Sequence, residues 1–181
     1  MSIWGGITGG LVGFVVLGPI GALVGSVIGS NLSSRSKRRR PNNFDQQVAF
    51  FAALFACLAK IAKADGRVDA AEIKKIEEII SSKLNLNKEH RHFAINIFQK
   101  AKDDNVSFEA YASNLYQVLS LSPNSLLVFY EMLFELALAD GILHPNEDKL
   151  LKKIPRIFKF DEKVYKSLYE KFVDKTNDYF K

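Results

Sequence analysis

One stretch of this chain occurs twice, and it leaves little room for anything but a helical fold. The first copy runs from Leu58 through Ala64-Asp65-Gly66-Arg67-Val68-Asp69 to Glu72. The second runs from Leu133 through Ala139-Asp140-Gly141-Ile142-Leu143-His144-Pro145-Asn146 to Glu147. A shift of 75 residues superimposes Ala, Asp, Gly, an aliphatic residue and Glu. Each copy reads as the end of one helix, a tight turn and the start of the next. Gly66 and Gly141 stand where the chain must leave a helix through a left-handed residue, which the lack of a Cβ permits at least cost. Asp69, with Glu72 three residues on, forms a capping box. In the second copy Pro145 takes the first helical position and Glu147 the third.

Apolar spacing carries the helical pattern through the rest of the chain beyond a short Pro41-Asn42-Asn43 linker. Phe44, Val48, Phe51, Phe55, Leu58 and Ala62 recur at intervals of three and four, and Ile73, Ile76, Ile80 and Leu84 open a second stripe. Asn87 is expected to cap a helix carrying Phe93, Ile97 and Phe98. Ser107 opens one through Leu119, Ser122-Pro123 one ending at Ala139, and Asp161 a last one holding Val164, Leu168 and Phe172. The helix that starts at Pro145 should kink or end at Pro155, which has no amide to donate. No alternating strand pattern occurs. The expected fold class is all-α: an N-terminal transmembrane helix, then a bundle of about seven helices with an internal repeat.

The transmembrane helix is inferred from Ile3 to Leu32, where no side chain ionises. A helix of that length exceeds the roughly 20 residues a bilayer needs. A cleaved secretory signal would want a positive residue ahead of a shorter apolar core, and there is none. Gly18-Pro19 offers one alternative, a hairpin whose arms would each be too short to span. Arg35, Lys37, Arg38, Arg39 and Arg40 follow at once, so the positive-inside rule puts Met1 outside and the bulk of the chain in the cytoplasm, with Trp4 as an interfacial anchor. The chain thus divides into an anchor (1–34), a basic juxtamembrane linker (35–43) and a helical domain (44–176).

Nine of the eleven glycines fall in the anchor. Gly5, Gly9 and Gly13 are spaced by four, as are Gly21, Gly25 and Gly29, making a smooth stripe on which another helix could pack closely. A homodimer through the transmembrane helix is the functional expectation; the bland one is that membrane helices simply tolerate glycine. The net charge of +5 equals the basic run alone, leaving 20 basic residues against 20 acidic ones elsewhere. The pI therefore gives no ground for a nucleic-acid partner; the basic run reads as a topology signal in contact with phospholipid.

Little in the chain suggests catalysis, and no cofactor is expected. His90 and His92 are two residues apart, so they share no helical face, and no cysteine joins them or His144 in a zinc pattern. Cys57, the one cysteine, sits in an apolar run and reads as a small buried hydrophobe. The repeated turns invite a comparison with calcium loops, since Asp65, Gly66 and Glu72, like Asp140, Gly141 and Glu147, fall at the fifth, sixth and twelfth positions. The match fails upstream, where Ile61, Lys63, Leu136 and Leu138 stand in place of carboxylates. A shared acidic site of Asp65, Glu72, Asp140 and Glu147 would require both turns to lie at one end of the bundle. Turn and capping chemistry alone is the plainer reading.

Taken together, the opening Met1-Ser2-Ile3-Trp4-Gly5, the glycine-rich span, the basic run and the two Ala-Asp-Gly motifs resemble the DjlA-type family of membrane-anchored, DnaJ-like co-chaperones, whose cytoplasmic part begins with a TerB-like helical domain. The resemblance implies a single-pass protein of the bacterial inner membrane, an anchor that takes part in dimerisation, and a J domain that stimulates a DnaK-type ATPase. J domains carry His-Pro-Asp, whereas the one His-Pro here, His144-Pro145, continues to Asn146 inside the second motif. Residues 177–181 look like the opening of a J domain, so a DnaK-type partner is expected only if that domain follows. The alternative is a stand-alone TerB-like module in envelope or tellurite stress, with a protein partner on its helical domain and a weak metal site at the turns.

Overall fold

The computed structural model describes residues 18–28, 43–66, 77, 88–119, 122–138 and 141–174. Every regular element among them is helical: α1 (Pro19–Ile28), α2 (Asn43–Ala62), a 3-10 turn (Lys63–Asp65), α3 (Lys88–Asp103), α4 (Phe108–Leu119), α5 (Pro123–Ala137), α6 (Pro145–Leu151), α7 (Ile154–Phe158) and α8 (Lys163–Tyr169). A π-type turn, Glu170–Asp174, extends α8.

Helix α2 is the axis of the bundle. Ala49, Ala52, Ala53, Ala56 and Ala59 are fully buried on it, and side chains that small on several faces let α1, α3, α4, α5 and α6 all come against one helix. Phe55, Leu54 and Ile61 fill the spaces between them. Cys57 is likewise buried, and burial pushes its thiol far above the usual range, so it packs as a hydrophobe. A chain of aromatic contacts links α2 to the far side of the core: Phe50 on α2 meets Phe129 edge-on at 5.3 Å, and Phe129 meets Phe158 at 5.8 Å.

Helix starts follow the capping residues. The Ser107 hydroxyl accepts the Ala110 amide at 3.1 Å, Ser122 accepts that of Ser125 at 3.2 Å ahead of Pro123, and the Asp161 carboxylate accepts that of Lys163 at 2.8 Å. Two helix ends differ from expectation. Helix α5 stops at Ala137 because Leu138 has already left helical geometry, with φ −87° and ψ 15°. Helix α6 ends at Leu151, short of Pro155. Proline at 155 offers no amide to the Leu151 carbonyl, and the Tyr130 hydroxyl donates to that carbonyl instead, at 2.7 Å in a buried position.

The largest difference concerns the anchor. Instead of a continuous helix through Gly18-Pro19, Gly18 adopts φ +102° and α1 begins at Pro19. The ten residues of α1 lie on the bundle, with Ile20, Leu23 and Val24 buried against α2, α3 and α4. The break has a local cause, since a left-handed glycine followed by a residue without an amide starts a helix more readily than it continues one. No helix among the described residues is long and apolar enough to cross a membrane. Gly5, Gly9, Gly13, Gly29, Asp69, Glu72, Asn87 and Asp140 lie outside the described residues.

Candidate functional site

The two repeated turns share a glycine conformation and a backbone hydrogen bond. Gly66 has φ +87° and donates its amide to the Lys63 carbonyl at 2.9 Å; Gly141 has φ +89° and donates to the Leu138 carbonyl, also at 2.9 Å. Both helix ends are therefore closed by the same three-residue hydrogen bond and the same left-handed glycine. The 3-10 turn Lys63–Asp65 of the first copy packs against α6, the helix that follows the second turn.

Among the acidic residues of the motif, Glu147 can be followed: its Oε2 accepts the His144 amide at 3.0 Å, closing the start of α6 as a capping box requires. The next residue, Asp148, accepts from the Tyr165 hydroxyl and from Lys152 Nζ at 2.5 Å, fastening α8 to α6. Burial and that carboxylate together push the Tyr165 hydroxyl upward, so it stays a proton donor. No group of three or more potential metal ligands is gathered among the described residues. Of the histidines, His90 is buried on α3, whereas His92 and His144 are exposed.

A second polar cluster, which spacing alone does not reveal, ties α2 to the α3–α4 connection. Lys60 Nζ donates to the Asp104 carboxylate at 2.7 Å and to its backbone carbonyl at 2.9 Å. The Tyr111 hydroxyl donates to the other carboxylate oxygen, and the Val106 amide to Oδ1 at 2.9 Å. One carboxylate thereby satisfies a lysine, a tyrosine and a backbone amide from three segments. Burial first, then the Asp104 hydrogen bond, raises the Tyr111 hydroxyl well above its ordinary range. The cluster lies beside a groove of about 610 Å³ between α1, α3 and α4, lined by Ala22, Leu23, Ser26, Lys100 and Tyr111 among others. Asp104 and Tyr111 are 44 and 51 residues from Lys60 in sequence, so no local pattern joins them.

Each described carboxylate of these two clusters is engaged in a structural hydrogen bond: Glu147 caps the start of α6, Asp148 ties α6 to α8, and Asp104 ties α2 to the α3–α4 connection. Comparison with known proteins agrees with an architecture defined by its parts. Residues 51–169 match the family model described as tellurite resistance protein TerB, and residues 1–39 match that of the co-chaperone DjlA transmembrane domain. The co-chaperone protein DjlA of Photobacterium profundum is 36% identical over 124 residues, covering 68% of this chain and 44% of the relative. That of Coxiella burnetii is 31% identical over 133 residues, 71% of this chain and 48% of the relative. That of Escherichia coli is 31% identical over 110 residues, 61% and 40%. The chain spans less than half the length of these relatives. No solved structure matches it. The match at residues 1–39 supports a membrane location. With the anchor match at one end and the TerB match over most of the remaining chain, this chain belongs to the TerB family and is of the DjlA type.

Proposed function

We propose that this chain is the membrane-anchoring, regulatory and positioning part of a DjlA-type co-chaperone of a DnaK-type partner. The observation that carries the reading is the co-occurrence of the two matches in one chain, anchor first and TerB domain second, with relatives named co-chaperone. The anchor holds the protein in the inner membrane with Met1 outside, and the basic run Arg35–Arg40 keeps the helical domain in the cytoplasm. Glycines at 5, 9, 13, 21, 25 and 29 bring two anchors together as a homodimer. The helical domain offers a rigid surface to a protein partner, and these residues perform no catalysis themselves.

Within these 181 residues His144-Pro145-Asn146 serves as the start of α6, not as a J-domain loop. The purified chain should therefore leave the ATPase rate of a DnaK-type chaperone unchanged, while removal of residues 1–39 should release the protein from membranes. Clear stimulation of the ATPase, or a membrane-bound protein without residues 1–39, would contradict this reading. The packing of the first turn against α6, which carries Glu147, favours one second reading, a weak divalent-cation site of Asp65, Glu72, Asp140 and Glu147. Its mark would be a calcium-dependent rise in melting temperature that disappears in both Asp65→Asn and Asp140→Asn.

A further inference from the structure

Helix α1 is held at both ends by groups that belong to the bundle. Asn114 lies on the inner face of α4, buried between Tyr111 and Leu115, where a polar side chain is costly unless it is hydrogen-bonded. Its Oδ1 accepts the amide of Ile20 at 3.0 Å, one of the first-turn donors that no residue of α1 can satisfy. Gly18 fits so closely against the same side chain that a Cβ there would lie 2.5 Å from Asn114 Nδ2. At the far end Lys100 Nζ donates to the Ser26 carbonyl at 2.7 Å, one of the last-turn acceptors. Between these two contacts Ile20, Leu23 and Val24 sink into the core. An apolar groove alone would accept many helices. Two polar groups that meet the two ends of a ten-residue helix, and a close fit that only glycine allows, select this one.

We propose that the groove between α2, α3 and α4 is a receptor for the anchor's own segment Pro19–Ile28, and that it competes with the bilayer for that segment. The proposal rests on the membrane-anchoring reading above and adds a second resting place for part of the anchor. Docking of Pro19–Ile28 divides the uncharged run Ile3–Leu32 and leaves residues 3–18 as its longest contiguous piece, short of the roughly 20 apolar residues a spanning helix needs. The same residues cannot sit in hydrocarbon and on the bundle at once. Occupancy of the groove therefore decides how deeply the protein is inserted, and whatever loosens α4 around Asn114 favours the spanning form.

The test uses the full chain carrying Ser26→Cys. Ser26 is exposed and outside the glycine stripe, cysteine is close to serine in size, and the buried Cys57 thiol does not compete for label. A polarity-sensitive dye on that cysteine is read in vesicles of phosphatidylethanolamine and phosphatidylglycerol by quenching with aqueous iodide. Docked protein is quenched and spanning protein is shielded. Asn114→Ala and Lys100→Met should each lower the ratio of docked to spanning protein by about fivefold, the weight of one hydrogen bond. Lys100 is exposed, so its replacement leaves the core intact if Asn114→Ala weakens the fold. An iodide-quenchable fraction that is the same in all three proteins would overturn the proposal while leaving the anchoring reading in place. Failure of the chain to float with the vesicles would overturn both.

Discussion

In α2 every residue from Ala52 to Ala59 is buried, whereas α1 buries Ile20, Leu23 and Val24 and leaves Ala22, Gly25 and Ser26 exposed. Both helices are rich in apolar residues, although α2 also carries Asp45 and Lys60 while α1 has no ionisable side chain. What sets their packing apart is the distribution of size. Alanines on several sides of α2 let five helices reach it, while α1 turns Ile20, Leu23 and Val24 to the core and Ala22, Gly25 and Ser26 away from it. A helix apolar all round belongs in a core or a bilayer; one with a single large-residue face can lie on a surface built to receive it.

Replacing Phe55 by Ala on α2 should break this comparison most severely. Phe55 is fully buried on the central helix, and its loss should cost about 3–5 kcal/mol by chemical denaturation, a large share of the stability of a domain this size. Ile20→Ala sharpens the contrast. If α1 is part of the bundle, the substitution should cost about 2 kcal/mol; if α1 makes no lasting contact with it, the unfolding midpoint should not move. Gly66→Ala should cost about 1 kcal/mol, and through backbone conformation alone, because a Cβ there meets nothing within 4 Å but must adopt φ +87°.

The smallest effect belongs to the surface pair Lys153 and Glu109. The hydrogen bond from Lys153 holds the Glu109 carboxyl below its ordinary value of 4.5. A carboxylate depressed on folding stabilises the protein above its unfolded pKa and loses that contribution as the pH falls through the folded one. Glu109→Gln should therefore cost about 0.5 kcal/mol or less at neutral pH, since both side chains are well exposed, and nothing in strong acid. Paired melts at pH 7 and pH 3 would check the sign.

The helical fold is legible in the sequence because its signals are local. Ser107, Ser122-Pro123, Pro145 with Glu147, and Asp161 each announce a helix start within four residues, and Gly66 and Gly141 announce helix ends through a conformation few other residues adopt. The hidden features depend on pairs far apart. Asn114 reads as an ordinary polar residue on a helix until it is seen to cap α1 from 94 positions away. Lys60, Asp104 and Tyr111 likewise have no mutual signal until the fold brings them together. For the same reason hydropathy passes over Gly18-Pro19: it counts apolar residues and takes no account of an asparagine that meets the Ile20 amide from far along the chain.

Membrane attachment with the helical domain on the cytoplasmic side is the claim on which the functional account turns. A pair of reporters fused after Lys181, one active only in the cytoplasm and one only outside it, tests this directly when combined with fractionation. The account predicts activity from the cytoplasmic reporter alone, in a full-length product that pellets with membranes. A processed, soluble product showing activity from the external reporter would contradict it.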